Sequence, residues 1–269
     1  MTTILETRGL CRSFGPVTAV KDLSIDVDAG ESFGLLGPNG AGKSTAIKML
    51  TTLLPPSGGT ATIGGFDILK DANQVRAIIG YVPQMLSADG NLTGYENLLM
   101  FSKLYGLRAD VRDKRIQEAL ELMDLTEAAN RLVKTYSGGM LRRVEIAQAM
   151  IHRPRMLFLD EPTVGLDPIA RESVWRQIER LRSEYGMTVL MTTHYMEEAD
   201  QLCERIAIMH RGNVVAVGSP AELKQSVDKE GATLDDVFVH YAGSTLIEEE
   251  GQGGFREATR ARRAALRRG

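Results

Sequence analysis

A glycine-rich segment between an apolar run and a helix-like run constrains this chain more than any other feature. The phosphate-binding pattern G-x-x-x-x-G-K-[ST] is matched by Gly37-Pro38-Asn39-Gly40-Ala41-Gly42-Lys43-Ser44-Thr45. Its glycines permit a backbone path on which successive N–H groups point at phosphate oxygens. Lys43 adds a positive charge, Ser44 can ligate Mg²⁺, and the start of the following helix adds partial positive charge. Since residues 31–36 are typical of a buried strand and residues 46–50 of a helix, we expect a nucleoside triphosphate site here rather than an ordinary glycine-rich turn.

Composition places few other limits on the chain. Its 269 residues, 43% of them hydrophobic, suffice for one large domain with an inserted lobe. A net charge of −3 gives no overall electrostatic reason to expect nucleic acid binding. Two cysteines, Cys11 and Cys203, are too few for a disulfide framework, which fits a reducing compartment. No secretory signal is visible, and no apolar run reaches the roughly 18 residues of a membrane span. We therefore expect any membrane role to require a separate partner chain.

Hydrophobic periodicity predicts an α/β fold. The alternation over residues 19–27 is typical of a half-buried antiparallel strand near the N-terminus. Short apolar runs predict further strands at residues 60–63, 78–82, 156–159, 188–192 and 206–209. From about residue 93 to residue 152 the spacing is helical, as in Ile116, Leu120 and Met123, and residues 169–185 form another helix pattern. Strands that alternate with helices indicate a mostly parallel sheet covered on both faces, here with an antiparallel edge and an inserted helical lobe.

Two adjacent carboxylates provide the second half of a hydrolytic site. Asp160 and Glu161 come directly after the apolar run 156–159, at the carboxyl end of a strand, where open α/β sheets hold their ligands. We expect Asp160 to hold Mg²⁺, through water, and Glu161 to orient or deprotonate the attacking water. Neighbouring side chains on a strand face opposite ways, but the turn begun by Pro162 can bring Glu161 to the γ-phosphate. Together with the phosphate loop, this pair predicts hydrolysis of the bound triphosphate.

A third segment resembles the signature of a known family. Tyr136-Ser137-Gly138-Gly139-Met140 precedes a helix pattern that Ser137 could cap, and it resembles the Leu-Ser-Gly-Gly-Gln signature of ATP-binding-cassette (ABC) ATPases. The resemblance covers most of the chain and departs from the family pattern at Tyr136, at Met140 and at Phe14, where tyrosine is more usual. The remaining family motifs are matched, in order, by Phe14 for the adenine-stacking aromatic, Gln84 for the glutamine loop, Gly165-Leu166-Asp167 for the dimer loop and His194 for the switch histidine.

The resemblance implies a P-loop NTPase fold of the RecA-like type, with ATP and Mg²⁺ as cofactors. It implies that two cassettes pack head to tail, each signature closing on the ATP that its partner's phosphate loop holds. The ATP-binding residues implied are Phe14, residues 37–45, Ser137, Gly138, Gly139 and Asp167. The catalytic residues implied are Lys43, Gln84, Glu161 and His194, and those implied for the metal are Ser44, Gln84 and Asp160. We expect residues 1–243 to be the ATPase domain, with a helical subdomain at about 93–152.

Two further segments are similar to the daunorubicin and drug-resistance group of bacterial exporters: Arg142-Arg143-Val144-Glu145-Ile146-Ala147 and Leu234-Asp235-Asp236-Val237-Phe238. This similarity implies a homodimer that associates peripherally with a separate membrane permease, on the cytoplasmic face of a bacterial cell membrane. The cargo implied is a drug, antibiotic or lipid-like substrate. The absence of sustained heptads argues against the chromosome-associated class of cassette ATPases.

Other classes of nucleotide-binding protein were compared with these motifs. A regulatory ATPase that remodels a soluble complex is the alternative, whereas a kinase or GTPase would leave the signature and His194 without a role.

Residues 244–269 are charge-segregated and end in an arginine-rich run. We expect a flexible, solvated tail there, with weak anchoring to an anionic membrane surface as the other interpretation.

Overall fold

The computed structural model describes residues 2–243, so the predicted charged tail lies outside the described residues. The strands are β1 Thr3–Phe14, β2 Val17–Leu23, β3 Asp26–Asp28, β4 Ser32–Leu36, β5 Gly58–Ile63, β6 Phe66–Asp67, β7 Ile79–Val82, β8 Met156–Asp160, β9 Thr188–Thr193, β10 Arg205–His210 and β11 Asn213–Gly218. The helices are α1 Lys43–Leu50, α2 Ala72–Ile78, α3 Gly94–Leu104, α4 Ala109–Leu122, α5 Gly138–Met150, α6 Pro168–Tyr185, α7 Met196–Leu202 and α8 Pro220–Gln225. Residues 234–243 are also helical.

The strands form one mixed sheet whose order is β6-β5-β1-β2-β11-β10-β4-β9-β8-β7, with β3 paired to β1. The run β10-β4-β9-β8-β7 is parallel. Around β1 the pairings with β2, β3 and β5 are antiparallel. The predicted α/β class, with a parallel centre and an antiparallel edge near the N-terminus, is therefore confirmed.

Alternate residues of the central strands enter two separate hydrophobic clusters. In β8, Leu157 and Leu159 belong to the cluster that includes residues of α4, α5 and α6, while Met156 and Phe158 belong to the cluster that includes α1. Because successive side chains on a strand point to opposite faces, these are the two covered faces of the sheet. This is why β4, β8 and β9 are buried at every residue and are largely apolar in sequence.

The stretch predicted to be helical contains α3, α4 and α5, with short 3₁₀ turns between α4 and α5. Thr93 begins α3 with a reciprocal capping box to Glu96, and Ser137 caps α5 by accepting a hydrogen bond from the Met140 N–H, as predicted. The assignment of residues 93–152 as a separate helical subdomain remains a prediction. No helix among residues 2–243 is both long enough and apolar enough to span a bilayer.

The structure corrects the expectation of one strand over residues 19–27. The chain instead forms β2 and β3, which pair with different parts of β1. The break falls at Ser24, whose hydroxyl accepts the Gly9 N–H at 2.9 Å and donates to Asp22 at 2.7 Å. The Gly9 N–H of β1 therefore bonds to a side-chain oxygen at the point where the ladder between β1 and this segment is interrupted.

Candidate active site

The phosphate loop joins β4 to α1 along a path that requires glycine at two positions. Gly42 has φ of 107°, and a Cβ there would lie 2.5 Å from the Ala19 carbonyl oxygen. A Cβ on Gly37 would lie 2.4 Å from the Met209 carbonyl oxygen. No side chain caps the start of α1, so its first N–H groups are available to an anion. The loop borders a pocket of about 420 Å³ lined by Ala19, residues 39–45, Gln84 and Glu161.

Lys43 is held inside this pocket and is 4% exposed. Its ammonium donates to the carbonyl oxygens of Gly37 at 2.7 Å and Pro38 at 3.2 Å, so the loop fixes its own cation. The same nitrogen lies 3.2 Å from Oε1 of Glu161. A buried ammonium paired with a carboxylate, at the start of a helix, is suited to exchange that carboxylate for phosphate oxygens.

Oxygen donors suited to Mg²⁺ meet beside the loop. The Ser44 hydroxyl donates to Oδ1 of Asp160 at 3.1 Å, and the Thr192 hydroxyl donates to the same oxygen at 2.6 Å. Among the described residues no group of three or more His, Cys, Asp or Glu side chains could hold a metal ion. A hydroxyl and one carboxylate fit Mg²⁺, because that ion keeps several waters and takes phosphate oxygens rather than a full protein cage.

Glu161 is the point at which the predicted catalytic side chains meet. Its Oε2 lies 3.2 Å from Nε2 of Gln84 and 3.3 Å from Nδ1 of His194, and Oε1 faces Lys43. The residue is 4% exposed and has φ of 48°, a left-handed backbone rare for a non-glycine residue. Its N–H donates to the hydroxyl and the carbonyl oxygen of Thr192 at 3.0 and 3.2 Å. This left-handed conformation, at the residue before Pro162, places Glu161 toward the loop.

Other predicted site residues lie outside this pocket. Phe14 stands at the end of β1, 47% exposed, with the Arg12 guanidinium 4.7 Å from its ring centroid. The Asp167 carboxylate caps α6 by accepting from the Ala170 N–H at 2.9 Å. A Cβ on Gly139 would lie 2.9 Å from the Ala170 side chain, so signature and dimer loop are neighbours. The predicted ATP contacts of Phe14, Ser137, Gly138, Gly139 and Asp167 therefore stay predictions.

A buried ion pair links the signature helix to the loop that carries Gln84. Arg142 of α5 donates to the carbonyl oxygens of Pro83 at 2.7 Å and Gln84 at 3.0 Å, and lies 3.1 Å from Glu145. Glu145 in turn accepts from the backbone and hydroxyl of Ser87. Burial lowers the pKa of Arg142, an effect that the nearby carboxylates of Glu145, Asp160 and Glu198 oppose. The start of α5 and the position of Gln84 are thus mechanically connected.

Sequence reasoning missed Thr192 and the Arg142–Glu145 pair as parts of this arrangement. Thr192 faces Asp160 because β8 and β9 are paired in parallel with these two residues in register. A single sequence contains no signal for that register, although Thr192 was visible at the end of the predicted strand 188–192.

The fold and the site define a P-loop ATPase. A family model described as "ABC transporter" matches residues 20–164, more than half of the chain, and the chain belongs to that family. Similar curated proteins include the daunorubicin/doxorubicin resistance ATP-binding protein DrrA of Streptomyces peucetius, 47% identical over 92% of this chain and 74% of the relative. The linearmycin resistance ATP-binding protein LnrL of Bacillus subtilis is 44% identical over 82% of this chain and 70% of the relative.

Solved structures agree with this assignment. The ATP-binding subunit of an ABC transporter superposes with a TM-score of 0.78 at 29% identity, over 89% of this chain and 99% of that chain. A dimeric ATP-binding cassette in a post-hydrolysis state with ADP and Pi superposes with a TM-score of 0.70 at 28% identity, over 80% of this chain and 98% of that chain. The chain is therefore an ATP-binding, ATP-hydrolysing subunit of the ABC type, related to drug-export ATPases.

Proposed function

We propose that the chain hydrolyses Mg-ATP as a homodimer and drives export of a drug, antibiotic or lipid-like substrate through a separate permease at the cytoplasmic face of the membrane. One observation supports the hydrolytic mechanism most: Lys43, Gln84 and His194 converge on the buried carboxylate of Glu161. Three such neighbours constrain one carboxylate far more than a surface acid is constrained, and they sit beside the phosphate loop.

In this proposal Glu161 is the general base. The phosphate oxygens of ATP compete with Glu161 for the Lys43 ammonium. When the ammonium bonds to phosphate, the Glu161 carboxylate becomes free to accept a proton from water. Gln84 donates to Oε2, His194 faces the same oxygen, and the imidazole stabilises the γ-phosphate as charge develops. Ser44, Asp160 and Gln84 would hold Mg²⁺, which supplies neutralisation of phosphate charge.

The signature belongs to a second copy's site in this proposal. Ser137 caps a 13-residue helix whose N-terminus is suited to an anion. The pocket beside the phosphate loop contains no signature residue in its lining. A head-to-tail homodimer gives each signature a triphosphate and creates two equivalent sites.

Contact with a permease is supported by exposed apolar side chains beside Gln84. Met85 is 83% exposed and Leu86 57%, and Leu104 on α3 is 75% exposed. The Gln84 loop and α3 are joined by reciprocal hydrogen bonds between Asp89 and Asn97. Exposed apolar side chains favour contact with another protein, and these lie on or beside the loop that carries Gln84. A permease bound there would transmit its movement to the catalytic site through that loop.

The test has two parts. Glu161→Gln keeps the size of the side chain but removes the base, so ATP binding should persist while turnover falls about a hundredfold or more. Cells that express the chain together with its partner permease should lose efflux of the exported compound on the same substitution. Turnover at the wild-type rate would contradict the role of Glu161, and unchanged efflux would contradict coupling to transport.

A further inference from the structure

A buried carboxylate outside the pocket joins three elements behind the site. Glu198 lies on α7 and is completely buried. Its Oε1 accepts from the Thr163 hydroxyl at 2.6 Å and from the Trp175 indole N–H at 2.9 Å. Its Oε2 is buried and has no hydrogen-bond partner among the described residues. Burying a carboxylate oxygen without a hydrogen bond costs free energy. This cost indicates that Glu198 has a role in the fold or in the site.

Thr163 and Glu198 are each close in sequence to a predicted catalytic residue. Thr163 follows Glu161 by two positions in a tight turn in which the Val164 N–H bonds to the Glu161 carbonyl oxygen at 3.3 Å. Thr163 is itself fully buried. Glu198 follows His194 by four positions and lies in the first turn of α7, which begins at Met196. The bond between Thr163 and Glu198 therefore joins the segment that follows Glu161 to the segment that follows His194. Both sides of the contact between Glu161 and His194 are linked in this way.

We propose that Glu198 is a positioning residue that fixes the separation and orientation of Glu161 and His194 through its hydrogen bond to Thr163. This rests on the proposed roles of those two residues in hydrolysis. Glu161 has a left-handed backbone, which the surrounding structure must hold in place. The bond between Glu198 and Thr163 holds the turn on the C-terminal side of Glu161. The bond from the Glu161 N–H to the Thr192 hydroxyl holds the backbone of Glu161 itself.

Five variants separate an effect on geometry from an effect on stability alone. Thr163→Val removes the donor with little change in volume, whereas Thr163→Ser keeps the hydroxyl. Trp175→Phe removes the second bond to the same carboxylate oxygen, but from α6, which does not carry Glu161. Glu198→Ala removes the acceptor, and Glu198→Gln retains an oxygen for Thr163.

We expect Thr163→Val and Glu198→Ala to lower kcat by about tenfold to a hundredfold, because small misplacement of catalytic groups has effects of that size. The dissociation constant for ATP should stay within about twofold, since the phosphate loop is untouched. Thr163→Ser, Glu198→Gln and Trp175→Phe should stay within about threefold of the wild-type kcat, although Trp175→Phe lowers the melting temperature. The Thr163→Val/Glu198→Ala double variant should be no slower than the slower single variant, because both substitutions break the same bond between Thr163 and Glu198.

Two results would overturn the proposal: a Thr163→Val variant that keeps more than about half of kcat, or a Trp175→Phe variant that loses as much kcat as Thr163→Val. Glu161→Gln, measured in parallel, distinguishes this failure from failure of the proposed site. An inactive Glu161→Gln beside a normal Thr163→Val rejects only the role of Glu198, whereas an active Glu161→Gln rejects the hydrolytic assignment itself.

Discussion

At the scale of single residues, chemistry depends on which side chains meet at Glu161. The motifs and their order predicted Lys43, Gln84, Glu161 and His194 as catalytic residues. It could not predict that Lys43 lies 3.2 Å from Glu161, because those residues are far apart in the chain and their contact depends on tertiary packing. The left-handed backbone of Glu161 was also invisible, since the sequence offered only Pro162 as a turn signal.

His194 provides the residue-scale prediction. Its Nδ1 lies 3.3 Å from the Glu161 carboxylate and its side chain is partly exposed toward the site. His194→Ala should lower kcat by about a hundredfold, the usual effect of removing one oriented donor from a transition state, and should leave ATP affinity within a few-fold. Steady-state hydrolysis and nucleotide titration measure the two quantities. His240→Ala is the matched control because that histidine is exposed and its ring contacts Tyr241 rather than Glu161; equal losses in both variants would contradict a specific role for His194.

At the scale of elements, buried ionic and aromatic contacts connect helices to the site. The sequence predicted α5 and its Ser137 cap from a local pattern, because capping depends on residues three apart. It did not predict that Arg142 and Glu145 hold the Gln84 loop, since a charged pair three residues apart on a helix is more often a solvated pair.

Arg142 provides a stability prediction at this scale. Arg142→Met should reduce the free energy of unfolding by about 3–5 kcal/mol, because Glu145 would remain buried without its cation and two loop carbonyl oxygens would lose their donor. Urea unfolding followed by circular dichroism measures the change. Arg108→Ala is the control, since Arg108 pairs with Asp110 on the surface at 2.7 Å. A variant at Arg142 as stable as the control would show that the buried pair does not support the loop.

His152 provides a pH prediction at the same scale. Its ring stacks on Tyr105 at the end of α3 with centroids 3.7 Å apart, and Nε2 bonds to the Ile79 carbonyl oxygen of β7 at 3.0 Å. Burial lowers the pKa of His152, so below pH about 6.5 the unfolded chain binds more protons than the folded one. Stability should therefore fall as the pH drops below about 6.5, and His152→Gln should lack this component in thermal melts. Identical pH profiles for the two proteins would contradict this role.

At the scale of the whole molecule, the phosphate loop and the signature of one chain lie on different elements. The phosphate loop, Asp160 and Glu161 lie at the carboxyl ends of neighbouring parallel strands. The signature lies at the start of α5, next to the α6 cap that contains Asp167. The sequence predicted the parallel centre because fully buried strands appear as continuous apolar runs, but β1 and β11 carry mixed apolar and polar residues and were not recognised.

The most direct test of the head-to-tail account mixes two inactive variants. Lys43→Ala disables the phosphate loop and Ser137→Arg disables the signature, so each homodimer lacks a complete site. In a mixed dimer, the intact loop of one chain meets the intact signature of the other. ATP hydrolysis in an equimolar mixture should therefore recover to roughly a quarter of the wild-type rate, since half of the dimers are mixed and each has one complete site. No recovery in a mixture shown to contain mixed dimers would contradict the account.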